Sequence, residues 1–146
     1  MNQLDTGNTT SVFLVEDHKL VRRVMGQLIQ RDPSLTLCGT APTAEIALAL
    51  IPDLNPQLTV VDISLPGMNG IELIHLLHQK YPHMRLLALS GHDESIYGAP
   101  VMQAGGHGYV MKGKVDEIEE ALHQVSRGST YLSPQLRAIL NSSPNH

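Results

Sequence analysis

The feature that most constrains this chain is an alternation of short, fully apolar runs with longer stretches of helical periodicity. Ser11-Val12-Phe13-Leu14-Val15, Leu58-Thr59-Val60-Val61 and Leu86-Leu87-Ala88-Leu89 are runs of the kind found in strands buried on both faces. Leu35-Thr36-Leu37-Cys38 and Tyr109-Val110-Met111 are weaker versions of the same pattern. The stretches between them are long enough for helical crossovers joining parallel strands. Leu20 to Gln30 carries apolar residues at 20, 21, 24, 25, 28 and 29. Thr43 predicts the cap of a helix that ends before Pro52, because the residue before proline avoids the helical region. Ile71 to Gln79 follows Asn69-Gly70, and Val115, Ile118, Leu122 and Val125 lie along one helical face. Glu94 to Gly105 holds Gly98 and Pro100, which predicts a short or bent fourth helix.

Five strand-helix units of this kind make an α/β fold, a doubly wound parallel sheet covered on both faces. At 146 residues and 42% hydrophobic, the chain is sized for one such domain, with a core of Leu, Ile, Val, Ala and Met and no Trp. The formal net charge of -4 argues against a nucleic-acid-binding surface. No apolar stretch reaches the length of a membrane span, and Met1 to Thr10 lacks the apolar centre of a secretory signal. A single cysteine, Cys38, points to a reducing, cytoplasmic setting. After Gly128, Thr130 to Pro134 can start one further helical turn capped by Ser133, and 141–146 reads as a polar tail.

In open parallel sheets, ligands bind beyond the carboxyl ends of the strands. The first apolar run ends in Glu16-Asp17, the third strand in Asp62, the fourth in Ser90, and the fifth is followed by Lys112. Three carboxylates, a hydroxyl and an ammonium from distant parts of the chain are thereby directed to one edge. Clustered carboxylates repel one another, and a hard divalent cation such as Mg²⁺ relieves this. A carboxylate can act as nucleophile toward phosphorus, with a lysine and a hydroxyl holding the phosphoryl oxygens.

Glu16-Asp17, the segment from Val60 to Gly70, Leu89-Ser90-Gly91 and Gly108 to Lys112 together resemble the signature segments of response-regulator receiver domains of two-component signalling. The resemblance runs from about Val12 to about Arg127. It implies a (βα)₅, flavodoxin-like sheet of strand order 2-1-3-4-5, with no enzyme activity beyond self-catalysed phosphoryl transfer and dephosphorylation. It also implies Asp62 as phosphoacceptor, with Mg²⁺ held by Glu16 through water, by Asp17 and Asp62 directly, and by the Ser64 backbone carbonyl. Lys112 would pair with the phosphoryl group, Ser90 would move to bond it, and Tyr109 would swing inward behind Ser90. The implied partners are a sensor histidine kinase or phosphotransfer protein and, on phosphorylation, a second copy of the chain. Two positions depart from the usual pattern: Gly91 stands where a small residue, often alanine, is usual, and Gly113 replaces a common proline.

Val15 to His18 and Val125 to Pro134 are similar to the LuxR/NarL-type subclass, whose receivers are joined to a DNA-binding helix-turn-helix. The expected organisation is a flexible N-terminus over 1–10, the receiver over 11–128, and a linker and tail over 129–146. DNA contact would then need an output domain absent from this chain. A stand-alone receiver acting by protein-protein contact is the alternative. An aspartate-nucleophile phosphatase is disfavoured, because Ser64 occupies the position where that chemistry wants a second acid. His75 and His78, three apart on a helix, lack the further ligands that would complete a zinc set.

Overall fold

The structure is a computed structural model that describes residues 9–141. The flexible N-terminus expected over 1–10 and the tail over 141–146 therefore lie almost wholly outside the described residues. Five strands alternate with helices: β1 Thr10–Val15, α1 Lys19–Arg31, β2 Leu35–Ala41, α2 Ala44–Leu54, β3 Leu58–Asp62, α3 Gly70–Lys80, β4 Arg85–Ser90, α4 Glu94–Ala104, β5 Gly108–Met111 and α5 Val115–Ser126, with a sixth helix, α6 Pro134–Asn141. All pairings are parallel, and the order is β2-β1-β3-β4-β5, as the resemblance implied.

Successive residues of a strand face opposite sides of the sheet, so each apolar run feeds two cores. Phe13, Val15 and Val61 pack with Ile51, Leu73, Ile74 and Leu77 of α2 and α3. Val12, Leu14 and Val60 pack with Met25 and Ile29 of α1 and with Ile118 and Leu122 of α5. β3 lies at the centre of the sheet and is buried along its whole length, which explains its unbroken apolar run up to Asp62. Cys38 falls at a register shift, since Val12 pairs with Leu37 and Phe13 with Gly39. Gly39 lets the strand pass close to its neighbours there, since a Cβ would lie 2.8 Å from Leu54 Cδ1 and 3.0 Å from Phe13 Cε1 and make those side chains shift.

Three helices outrun the sequence expectation. α2 does not stop before Pro52 but runs to Leu54, closed by Asn55 in the left-handed conformation with its N–H on the Ile51 carbonyl. Pro52 lies in the last turn, where one lost bond is outweighed by the complete burial of Ile51. α4, expected to be short or bent, is an 11-residue helix, as long as α2 and α3. Pro100 and Ile96, whose carbonyl it leaves free, are both exposed to water, while Val101 and Ala104 bind the same helix to the core. The expected turn after Ser133 is a two-turn helix, with the Leu136 N–H on Ser133 Oγ at 3.0 Å. Among the described residues no helix is long and apolar enough to cross a membrane.

Candidate functional site

Parallel strands bring all their carboxyl ends to one edge, and the polar residues that terminate the apolar runs meet there. Asp62, the last residue of β3, is fully buried. Its Oδ1 accepts the Ser64 N–H at 2.9 Å, and its Oδ2 accepts from Lys112 Nζ at 3.2 Å. Glu16, just beyond β1, is also fully buried. Its Oε2 accepts the His18 N–H at 3.0 Å and Lys112 Nζ at 3.3 Å. Asp17 stands exposed at the mouth. One oxygen from each of Glu16, Asp17 and Asp62 lies within 4.8 Å of the others, and no other such cluster occurs among the described residues. His75 and His78 are not among these residues; His78 covers Gly105 and meets His107 edge-on.

The electrostatics follow from this crowding. Burial pushes the Asp62 carboxyl up to about 6, and repulsion from Glu16 adds to the rise, against the pull of the Ser64 N–H and the Lys112 charge. For Lys112, burial disfavours the charge, but the facing Asp62 and Glu16 outweigh it and hold the ammonium above its usual range. One cation thus serves two buried carboxylates. Glu16 Oε1 lies 3.1 Å from Lys112 Nζ, yet takes no well-directed hydrogen bond and is shut off from solvent. A buried carboxylate oxygen short of a partner, in a three-carboxylate cluster, fits a hard divalent cation with oxygen ligands.

The remaining predicted residues surround this centre. Ser90 ends β4, and its Oγ accepts the His92 N–H at 2.9 Å, so it shapes the loop rather than capping α4, whose cap position is Asp93. Tyr109 is buried, with its hydroxyl donating to the His92 carbonyl at 2.8 Å. The ring is therefore already inward. The Lys112 N–H donates to the Ser90 carbonyl at 2.7 Å, which fixes the start of the lysine side chain beside β4. No cis peptide occurs among the described residues, and Gly113 takes φ +90°, turning the chain toward α5 without proline.

Two positioning groups had no signal in the sequence. Arg22 Nη1 donates to the Glu16 carbonyl at 2.8 Å and the Asp17 carbonyl at 3.5 Å, stapling the loop that carries both acids. Glu45 accepts the Met68 N–H at 3.2 Å and steadies the loop after Asp62. Both act on backbone, which imposes no residue type on the partner, so no motif marks them.

This arrangement, on a parallel sheet of this strand order, is that of a signalling receiver domain, and comparison with known proteins agrees with that class. The chain belongs to the response regulator receiver domain family, which matches residues 12–123. Its relatives are regulators of the LuxR and NarL type. It is 38% identical over 132 residues to the DNA-binding transcriptional activator DevR/DosR of Mycobacterium tuberculosis, covering 88% of this chain and 60% of that protein. It is 32% identical over 136 residues to the nitrate/nitrite response regulator protein NarL of Escherichia coli strain K12, covering 91% and 62%. The chain thus spans about three fifths of the length of these relatives. A crystal structure of a LuxR-family two-component response regulator from Aurantimonas sp. SI85-9A1 superposes with a TM-score of 0.83 at 29% identity, covering 94% of this chain and 99% of that one.

Proposed function

We propose that the domain accepts a phosphoryl group on Asp62, in the presence of Mg²⁺, and thereby switches an output. The observation that carries this reading is the position of Asp62: a buried carboxylate 3.2 Å from Lys112 Nζ, with Glu16 and Asp17 within reach of a shared cation. An Asp62 oxygen attacks phosphorus, the bond from phosphorus to the leaving group breaks, and the leaving group departs with the electron pair. Glu16, Asp17, Asp62 and the Ser64 carbonyl would hold the Mg²⁺, which when bound offsets the charge of the carboxylates and the phosphoryl oxygens. Lys112 pairs with a phosphoryl oxygen, and the Ser90 hydroxyl turns from His92 to donate to another. Tyr109, behind Ser90, carries the change to the surface formed by α4, β5 and α5.

A sensor histidine kinase or a phosphotransfer protein of the cytoplasm supplies the phosphoryl group. The output is transcription regulation, through a DNA-binding domain outside these residues and pairing of two phosphorylated copies. The likeness to DevR/DosR and NarL supports this part. Incubation with acetyl phosphate and Mg²⁺, followed by intact-mass measurement, tests the central step. The chain should gain one phosphoryl group that Asp62→Ala does not gain. Multiple turnover of an added phosphoester would instead mark a phosphatase, and no reaction at all would leave a pure interaction module.

A further inference from the structure

A second concave site lies beside α1, on the side that faces β2. Lys19, Arg22, Arg23 and Gln27 of α1 form one wall and Leu37 and Thr40 of β2 the other, around a cavity of about 360 Å³. That volume is within the range of small-molecule sites, about 300–1,000 Å³. Residues 19, 23 and 27 follow one another at helical spacing, so their side chains share a face. A bare Gly26 leaves the floor open, with Leu37 Cδ2 3.4 Å from where a Cβ would stand.

The groove is cationic without compensation. α1 contains no Asp or Glu, and no acid lines the cavity. None of Lys19, Arg22 and Arg23 forms an ion pair among the described residues, while Glu16 and Asp62 are taken by Lys112. The chain as a whole carries a formal net charge of -4, so this excess of cation is local. Like charges three and four residues apart on a helix repel, and an anion relieves the repulsion.

Arg22 belongs to this groove and to the Asp62 site at once. Its Nη1 is spent on the Glu16 carbonyl at 2.8 Å and the Asp17 carbonyl at 3.5 Å. The Nε–Nη2 edge of the fork is not used in those bonds. Such an edge takes a carboxylate through two parallel hydrogen bonds.

We propose that the α1–β2 groove binds a small dicarboxylate, one carboxylate on the Nε–Nη2 edge of Arg22 and the other between Lys19 and Arg23. The bound anion tightens Mg²⁺ at Glu16, Asp17 and Asp62; this second part rests on the Mg²⁺ reading above. A neutralised Arg22 repels the metal less, and a fixed Arg22 holds the loop of Glu16 and Asp17 in place for it, so both effects have the same sign. By linkage, Mg²⁺ tightens the anion by the same factor.

Succinate is the probe, at constant ionic strength. In EDTA, NMR titration of the ¹⁵N-labelled full chain should shift amides of residues 19–27 and 37–40 saturably, with a Kd of about 1 mM, as suits a ligand of this size. The neutral analogue succinamide should leave them in place. Lys19→Ala combined with Arg23→Ala, both at exposed positions, should weaken succinate at least about fivefold. Calorimetric titration with Mg²⁺ should then give an affinity about fivefold higher in saturating succinate, the lower range of such coupling. Arg22→Lys, which keeps the charge and loses the fork, should lose that gain. Chelation of Mg²⁺ by free succinate acts in the opposite direction and cannot imitate it. Equal shifts with succinamide, or no saturable shift, overturn the groove. Succinate binding with Mg²⁺ affinity unchanged or lowered overturns the coupling. If Mg²⁺ does not bind even without succinate, the Asp62 reading fails by itself, and the EDTA titration still decides the groove.

Discussion

Lys112 Nζ and Asp62 Oδ2 lie 3.2 Å apart across the carboxyl ends of β5 and β3, and the same ammonium is 3.1 Å from Glu16 Oε1. Lys112→Ala leaves two fully buried carboxylates facing each other. Breaking a buried pair by removing one partner typically costs on the order of 3 kcal/mol. Urea unfolding at pH 7 without divalent ions should register a loss of about that size. Millimolar Mg²⁺ should restore much of it, since the cation takes over the neutralising role. A variant as stable as the parent, with no response to Mg²⁺, would mean that the two acids do not depend on a cation.

The Asp62 carboxyl titrates near 6 when folded and near 3.8 when unfolded. Between these values the native state holds a proton that the unfolded state has lost, so stability falls as pH rises from about 4 to above 6. At about 1.36 kcal/mol per pH unit, the loss is roughly 3 kcal/mol by neutral pH. Asp62→Asn has no such titration. In EDTA it should match the parent near pH 4 and be the more stable protein at pH 7. Added Mg²⁺ should close the gap by stabilising only the parent. Parallel stability-pH curves for the two proteins would refute the burial of an ionised Asp62.

Much of this site is legible before any coordinates. Strand ends are marked by the point where an apolar run meets a polar residue, and the parallel topology then sends Glu16, Asp62, Ser90 and Lys112 to one edge. What is not legible depends on partners that carry no side-chain code. Arg22 binds carbonyls, and Glu45 binds an amide. The rule that proline ends helices fails at Pro52 and Pro100 for a related reason, since the local penalty is real but burial of Ile51, Val101 and Ala104 is larger. The inward position of Tyr109 and the docking of Leu136 on Gly98 are packing facts that a linear pattern does not contain.

Gly70 and Gly91 flank the same site but differ in what surrounds them. A Cβ on Gly70 would fall 2.2 Å from the Asp62 carbonyl oxygen and 2.5 Å from Ile63 Cα, both rigid backbone. Gly70→Ala must push α3 away from the loop carrying Asp62, and should cost more than about 3 kcal/mol, at the severe end of single substitutions. Phosphorylation should slow as well. A Cβ on Gly91 meets nothing within 4 Å, so Gly91→Ala should stay within about 0.5 kcal/mol of the parent, as open surface changes do. Thermal unfolding of the two variants side by side tests the contrast, and equal effects would contradict the close approach at Gly70.

His107 should shape the acid limb of stability. Its Nδ1 accepts the Leu86 N–H at 3.0 Å, so the ring must be neutral at that nitrogen. Burial, with the charge of Arg85 and the neighbouring His78, lowers its pKa from 6.5 to about 4. The sign is opposite in cause to that of Asp62: here the unfolded chain binds the proton that the native state refuses, and stability falls as pH drops from about 6.5 toward 4. His107 is only partly buried, so solvent screening reduces the effect, to on the order of 2 kcal/mol across that window. His107→Gln keeps an acceptor for Leu86 but cannot protonate. Subtracting its stability-pH curve from the parent's should leave a decline confined to the interval between pH 6.5 and 4, and a flat difference would show that the Leu86 contact does not control the histidine's protonation.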